Sequence, residues 1–141
     1  MILVDSNIPM YVAGAAHPNK APSVAFLERV ASGQVQACVS TEILQEILHR
    51  YRAIGRWDDG RRLYTLVRQI LPVTLALEVS VLDRARGILD KYPHLMARDG
   101  VHAATCFEHS LEGICSYDTD YDAIKGLRRF RPDELVGPDR D

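Results

Sequence analysis

The apolar residues of this chain gather into a few very short runs, and the stretches between those runs keep a different period. Ile2-Leu3-Val4 stops at Asp5, Val35 to Val39 ends at Ser40, and Pro72 to Leu75 and Gly113 to Ser116 follow later. Short apolar runs bounded by polar or turn residues read as buried strands. Between them apolar residues recur at helical spacing: Val24, Leu27 and Val30; Ile43, Leu44, Ile47, Leu48 and Tyr51; Leu63, Leu66, Val67 and Ile70; Val81, Leu82, Ala85, Ile88 and Leu89. Strands that alternate with helices imply an α/β fold with a mainly parallel central sheet.

The breakers fit this reading. A helix is expected near Asn7 with Pro9 in its first turn, and Pro18-Asn19 is a turn. A second helix runs from Ser23 to Ala31 and stops at Ser32-Gly33. Ser40 or Thr41 caps the next, which Gly55 ends. Asp58 or Asp59 opens a fourth, another ends before Pro93, and the last is expected from Asp99 to Ser110. The reading is one domain over residues 1–136 and a polar tail over 137–141.

Composition narrows the function. Lys and Arg number 17 against 19 Asp and Glu, a formal charge of -2, which argues against a bulk electrostatic nucleic-acid binder. No apolar run suggests a membrane span, and the N-terminus shows no secretory pattern, so a cytoplasmic protein is expected. Cys38, Cys106 and Cys115 lack CxxC spacing and have small or apolar neighbours, the setting of buried reduced thiols. No GxxxxGK[ST] phosphate loop exists.

The acids are the informative residues. In parallel α/β sheets ligands sit beyond the carboxyl ends of the strands. Asp5 follows the first strand directly, and Asp118 follows the last core strand by two residues. Asp99 sits at an expected helix start, where it could also be only a cap. Glu42 and Glu46 share a face of the helix after the second strand, where Glu46 alone reads as a solvated residue. Clustered carboxylates raise one another's pKa unless a cation neutralises them, and hard oxygen donors suit Mg²⁺ or Mn²⁺.

Their order along the chain resembles that of the PIN-domain nucleases. Ile2-Leu3-Val4-Asp5-Ser6-Asn7 is similar to the opening block of that family. Val39-Ser40 to Glu46-Ile47 resembles the second block, in which a glutamate follows the strand-ending serine by six residues, so the glutamate is Glu46 and not Glu42. Arg98-Asp99-Gly100-Val101-His102-Ala103-Ala104 resembles the third block, and Ser116-Tyr117-Asp118 with the following Asp120 and Asp122 resembles the fourth. The chain's length and the lack of other domains point to the toxin of VapBC-type toxin–antitoxin pairs.

That resemblance implies a PIN-like three-layer α/β/α sandwich and a metal-dependent ribonuclease. Asp5, Glu46, Asp99 and Asp118 would be catalytic and would ligate one or two Mg²⁺ or Mn²⁺ ions. Ser116 and Asn7 would support them, and Asp120 or Asp122 could add a ligand. It also implies an RNA substrate, a VapB-like antitoxin that covers the acidic site, and a homodimer. Among the basic residues, Arg50, Lys125 and Arg128 are the candidate substrate contacts. His49, His94, His102 and His109 lack paired metal spacing and read as core or surface residues. The alternative is a catalytically silent binding module on the same fold, which predicts a broken acid set.

Overall fold

The computed structural model describes residues 1–137, so the tail beyond Gly137 lies outside the described residues. Five strands form one sheet in the order β3-β2-β1-β4-β5, and every pair is parallel. They are β1 (Ile2–Val4), β2 (Ala37–Ser40), β3 (Thr74–Leu75), β4 (Gly113–Cys115) and β5 (Arg129–Phe130). Seven helices connect or follow them: α1 (Asn7–Ala13), α2 (Lys20–Ala31), α3 (Thr41–Ala53), α4 (Trp57–Ile70), α5 (Val79–Lys91), α6 (Ala97–Glu108) and α7 (Pro132–Val136).

The pleat of the strands explains the three layers. Successive side chains of a strand point to opposite faces. Ile2, Val4, Ala37, Val39 and Cys115 pack with Phe26, Ile43, Ile47, Leu63 and Val67, so α2, α3 and α4 cover one face. Leu3, Cys38 and Ile114 pack the other way, against Ala103, Cys106 and Tyr121. There α6 covers the sheet, and α5 lies on α6 through Val81, Ala85 and Ala104. Each fully buried Ile or Leu in these layers contributes roughly 1.5–3 kcal/mol. The three cysteines are buried and free, as expected from their neighbours.

Several boundaries differ from the sequence reading for local reasons. Helix α2 begins at Lys20, because Pro22 is tolerated in a first turn that needs no internal N–H donor. Helix α6 begins at Ala97, so Asp99 is not its cap. It lies inside the first turn, and its Oδ2 accepts the Met96 N–H at 3.3 Å. Ser40 is the cap of α3, accepting the Ile43 N–H at 3.2 Å. Strand β5 and helix α7 were not anticipated. Two residues carry no periodicity, and β5 exists only through its pairing with β4: Ile114 N donates to the Arg128 carbonyl at 2.9 Å and Ser116 N to that of Phe130 at 3.0 Å. Among the described residues no helix is long and apolar enough to cross a membrane.

Strands β4 and β5 meet over Gly113. A Cβ there would overlap the carbonyl oxygen of Arg128 and come within 2.9 Å of the Phe130 ring. Gly113→Ala should therefore destabilise the protein by about 1–3 kcal/mol, the usual range for overpacking. Urea denaturation checks this, and an unchanged midpoint would contradict the close approach.

Candidate active site

Strands β1, β2 and β4 end at the same edge of the sheet, and that edge carries the acids. Asp5 is the residue after β1, and its N–H donates to the Cys115 carbonyl at 3.0 Å, which fixes it beside β4. Its carboxylate is buried and hydrogen-bonded at both oxygens. Oδ1 accepts from the Ser6 N–H at 2.8 Å, and Oδ2 accepts from the Ser116 hydroxyl at 2.7 Å and the Asn7 amide at 3.4 Å. Ser116 in turn accepts from Asn7 Nδ2 and from the Asp118 N–H, each at 3.0 Å. Ser6 makes no cap for α1; its hydroxyl reaches across to Glu46 Oε2 at 2.7 Å.

Glu46 is buried, against its reading as a solvated residue when taken alone. Its second oxygen, Oε1, lies 2.7 Å from His102 Nε2. His102 was expected in the core or on the surface without a role at the site; it is in the core, and it meets the acids there. Glu46 is 56 residues away in sequence, so no local spacing could reveal the pair. One signal was available: His102 lies three positions after Asp99 on a helix, and such residues share a face.

Asp99 and Asp118 are half-buried and line the same pocket as Asp5, Asn7, Glu46 and His102, a cavity of about 580 Å³. Tyr121 donates to Asp99 Oδ1 at 3.4 Å. The pocket also takes in Arg98, an exposed cation that sequence reasoning passed over. Asp118 Oδ1 accepts the Asp120 N–H at 2.9 Å. Two groups could hold a cation: Asp5, Glu46 and His102, and, further out, Asp99, Asp118 and Asp120, with ligand atoms in each group within 4.8 Å of one another. Asp122 belongs to neither group. It turns away to pair with Arg129, Oδ1 to Nε at 2.8 Å.

The basic candidates are scattered. Arg50 lines a neighbouring groove that shares Asn7 with the acid pocket. Lys125 lines a cavity between α5 and the loop before β5 that shares no residue with the acid pocket, and Arg128 lies over the Phe130 ring at 4.2 Å. The structure does not bring these last two to the acids. Others are engaged locally, Arg56 with Asp59, Arg61 with Asp58 and Arg52 over Trp57.

The electrostatics set Glu46 apart from Asp5 and Asp99. Burial pushes the Asp5 carboxyl above its ordinary range, and the nearby Glu46 charge adds to this against the pull of His102 and Ser116. Burial and the charge of Asp118 do the same to Asp99. Glu46 goes the other way. Burial raises it, but the His102 imidazole and the Ser6 hydroxyl outweigh burial and hold it below the usual value. The ionised forms of Asp5 and Asp99 are thus disfavoured in the pocket without a cation, and the acids offer hard oxygen donors. That set fits Mg²⁺ or Mn²⁺.

The PIN domain family matches residues 2–127. The chain belongs to the PIN-domain family. It is 38% identical over 130 residues to a VapC ribonuclease of Mycobacterium bovis and to ribonuclease VapC13 of Mycobacterium tuberculosis, covering 92% of this chain and 99% of each relative. Among solved structures it resembles VapC20 of Mycobacterium tuberculosis, a sarcin–ricin loop cleaving toxin. That match has a TM-score of 0.75 at 12% identity and covers 94% of this chain and 100% of the other. The VapBC2 complex of Rickettsia felis, bound to a promoter DNA fragment, matches with a TM-score of 0.72 at 15% identity over 93% of this chain and 98% of the other. At such identities the likeness is one of fold.

Asp99 provides a test of the charge excess. Its raised pKa means that the ionised carboxylate disfavours the metal-free fold at neutral pH, a penalty that fades as pH falls through the raised value toward the ordinary one. Asp99→Asn should therefore melt at or above the wild-type temperature in chelator. Mg²⁺ should stabilise the wild type, by about 1.4 kcal/mol at ten times its Kd, and the variant less. Melting curves with and without Mg²⁺ check both statements; a variant gaining as much from Mg²⁺ would contradict the charge account.

Proposed function

We propose that this chain is an endoribonuclease toxin of the VapC type, hydrolysing RNA phosphodiester bonds with a divalent cation, and that residues 1–136 form the nuclease unit. The observation that carries the reading is the convergence of Asp5, Glu46, Asp99 and Asp118, delivered by four separate elements, on one pocket at the carboxyl edge of the sheet. The family match and the ribonuclease relatives support it. The silent binding module predicted a broken acid set, and no observation favours it.

In this reading Asp5, Glu46, Asp99 and Asp118 hold Mg²⁺ or Mn²⁺, with Asp120 beside the outer pair. When bound, the cation offsets the charge of a scissile phosphodiester and makes water a better nucleophile at neutral pH. The chain's own residues do the positioning. Ser116 and Asn7 hold Asp5 Oδ2, so that carboxylate cannot rotate when substrate arrives. Ser6 ties the Asp5 and Glu46 carboxylates to each other through its N–H and its hydroxyl. Arg98 at the rim offers a forked donor set suited to a phosphate, and Arg50 in the adjoining groove offers a second. We propose an RNA substrate, a VapB-like antitoxin whose basic side chain enters the acid pocket, a homodimer, and a cytoplasmic location. The VapBC2 complex among the structural neighbours supports the antitoxin.

Cleavage of a mixed RNA pool tests this reading. Purified chain should cut with Mg²⁺ or Mn²⁺ and stop in chelator. Asp5→Asn should keep the fold and lose about a hundredfold or more in rate, because several kcal/mol of charge stabilisation leave with the carboxylate. An Asp5→Asn protein as active as wild type would overturn the assignment. In the same assay Glu46→Gln should be severe and Glu42→Gln nearly silent. The reverse would show that the second acid belongs one helical turn earlier.

A further inference from the structure

We infer that His102 is the positioning residue for Glu46: its buried imidazole donates through Nε2 to Oε1 while Ser6 donates to Oε2, and this pair of bonds sets how Glu46 faces the pocket. The inference rests on reading the pocket as a cation site.

Each Glu46 oxygen receives one donor, both at 2.7 Å. An ionised carboxylate oxygen has about two acceptor sites, so each oxygen keeps one for a cation. The donors come from opposite sides. Ser6 precedes α1, whose layer includes α3 and Glu46, whereas His102 belongs to α6 on the other face of the sheet. The Glu46–His102 bond therefore bridges the two layers at the sheet edge. A carboxylate held at both ends cannot swing about its terminal torsion, which is the usual role of the groups behind a ligand.

The imidazole is held by a single hydrogen bond, the one to Glu46. His102 is fully buried, and its Nδ1 has no hydrogen-bond partner, the only such side-chain atom found among the described residues. Either common state of the ring leaves Nδ1 unsatisfied, as a lone pair or as an N–H. An orphaned buried polar atom is a cost that an aliphatic residue of similar size would avoid. The contact that offsets this cost is the one with Glu46, whose Oε1 has no other donor.

The test uses the full chain, Mn²⁺ as probe, and the variants His102→Leu, His102→Gln and His102→Asn. Glutamine places an amide N–H near the Nε2 position, whereas asparagine is too short to reach it. The readouts are metal-free melting temperature, Mn²⁺ affinity by electron paramagnetic resonance, and nitrogen coupling to the bound ion by electron spin echo. His102→Leu leaves Oε1 of the buried Glu46 without a donor, so it should melt below wild type without metal, and it should bind Mn²⁺ at least about tenfold more weakly, the range seen when such supporting groups are removed. Glutamine should restore most of the affinity and asparagine little, with no directly bound nitrogen in the wild type. Leucine binding as tightly as wild type, glutamine no better than asparagine, or a directly bound imidazole nitrogen would each overturn the inference. If the leucine protein does not fold, the glutamine–asparagine comparison decides. Wild-type chain that takes up no Mn²⁺ would overturn the cation reading itself, and this inference with it. Tight binding in every variant would overturn this inference alone.

Discussion

The carboxylate of Asp5 lies inside the protein, and much of the molecule is arranged around that fact. A buried charge is tolerated only when donors replace the water it has lost. Asp5 receives the Ser6 N–H, the Ser116 hydroxyl and the Asn7 amide, and these come from both ends of the sequence. They meet because β1 is the central strand, with β2 on one side and β4 on the other. An edge strand would have exposed the same carboxylate to solvent along one flank. The crossover that carries the chain from β3 over the sheet to β4 is thus a requirement of the site as well as of the fold.

The pocket has two environments. Asp5, Glu46 and His102 are buried; Ser6 links the two carboxylates and His102 bonds Glu46 directly, so their positions are set by the core. Asp99, Asp118 and Asp120 are half-buried or exposed and rest on a helix start and a 3₁₀ turn. The inner group is held by hydrogen bonds within the core, while the outer group is more exposed to solvent.

What the sequence discloses follows from how far each interaction reaches along the chain. The strands before Asp5 and Asp118 are legible because β-branched or apolar runs ending at an acid are local patterns. The four acids are legible as an order, which is how their resemblance to PIN nucleases arises. His102 is not legible as a partner of Glu46, because its meaning depends on two helices packed on opposite faces of the sheet. Asp120 and Asp122 are indistinguishable on paper, and only the position of Arg129 on β5 shows that Asp122 is diverted. Strand β5 itself is two residues whose conformation is imposed by a neighbour. Local rules read local structure, and the inner half of this site is made of contacts that span 40 to 111 residues.

The pairing of β1 with β4 also has a consequence in time. Asp5 and Ser116, bonded in the finished protein, are 111 residues apart in the chain. Synthesis proceeds at about 5–20 residues per second, so β1 waits several seconds or more for its second neighbour. Until β4 emerges, Asp5 lacks the hydroxyl of Ser116 and the flank of the sheet that shields it. A nascent or prematurely terminated chain can already contain Asp5, Glu46 and even Asp99, and still possess no pocket. The pocket is thus completed only when β4 joins β1.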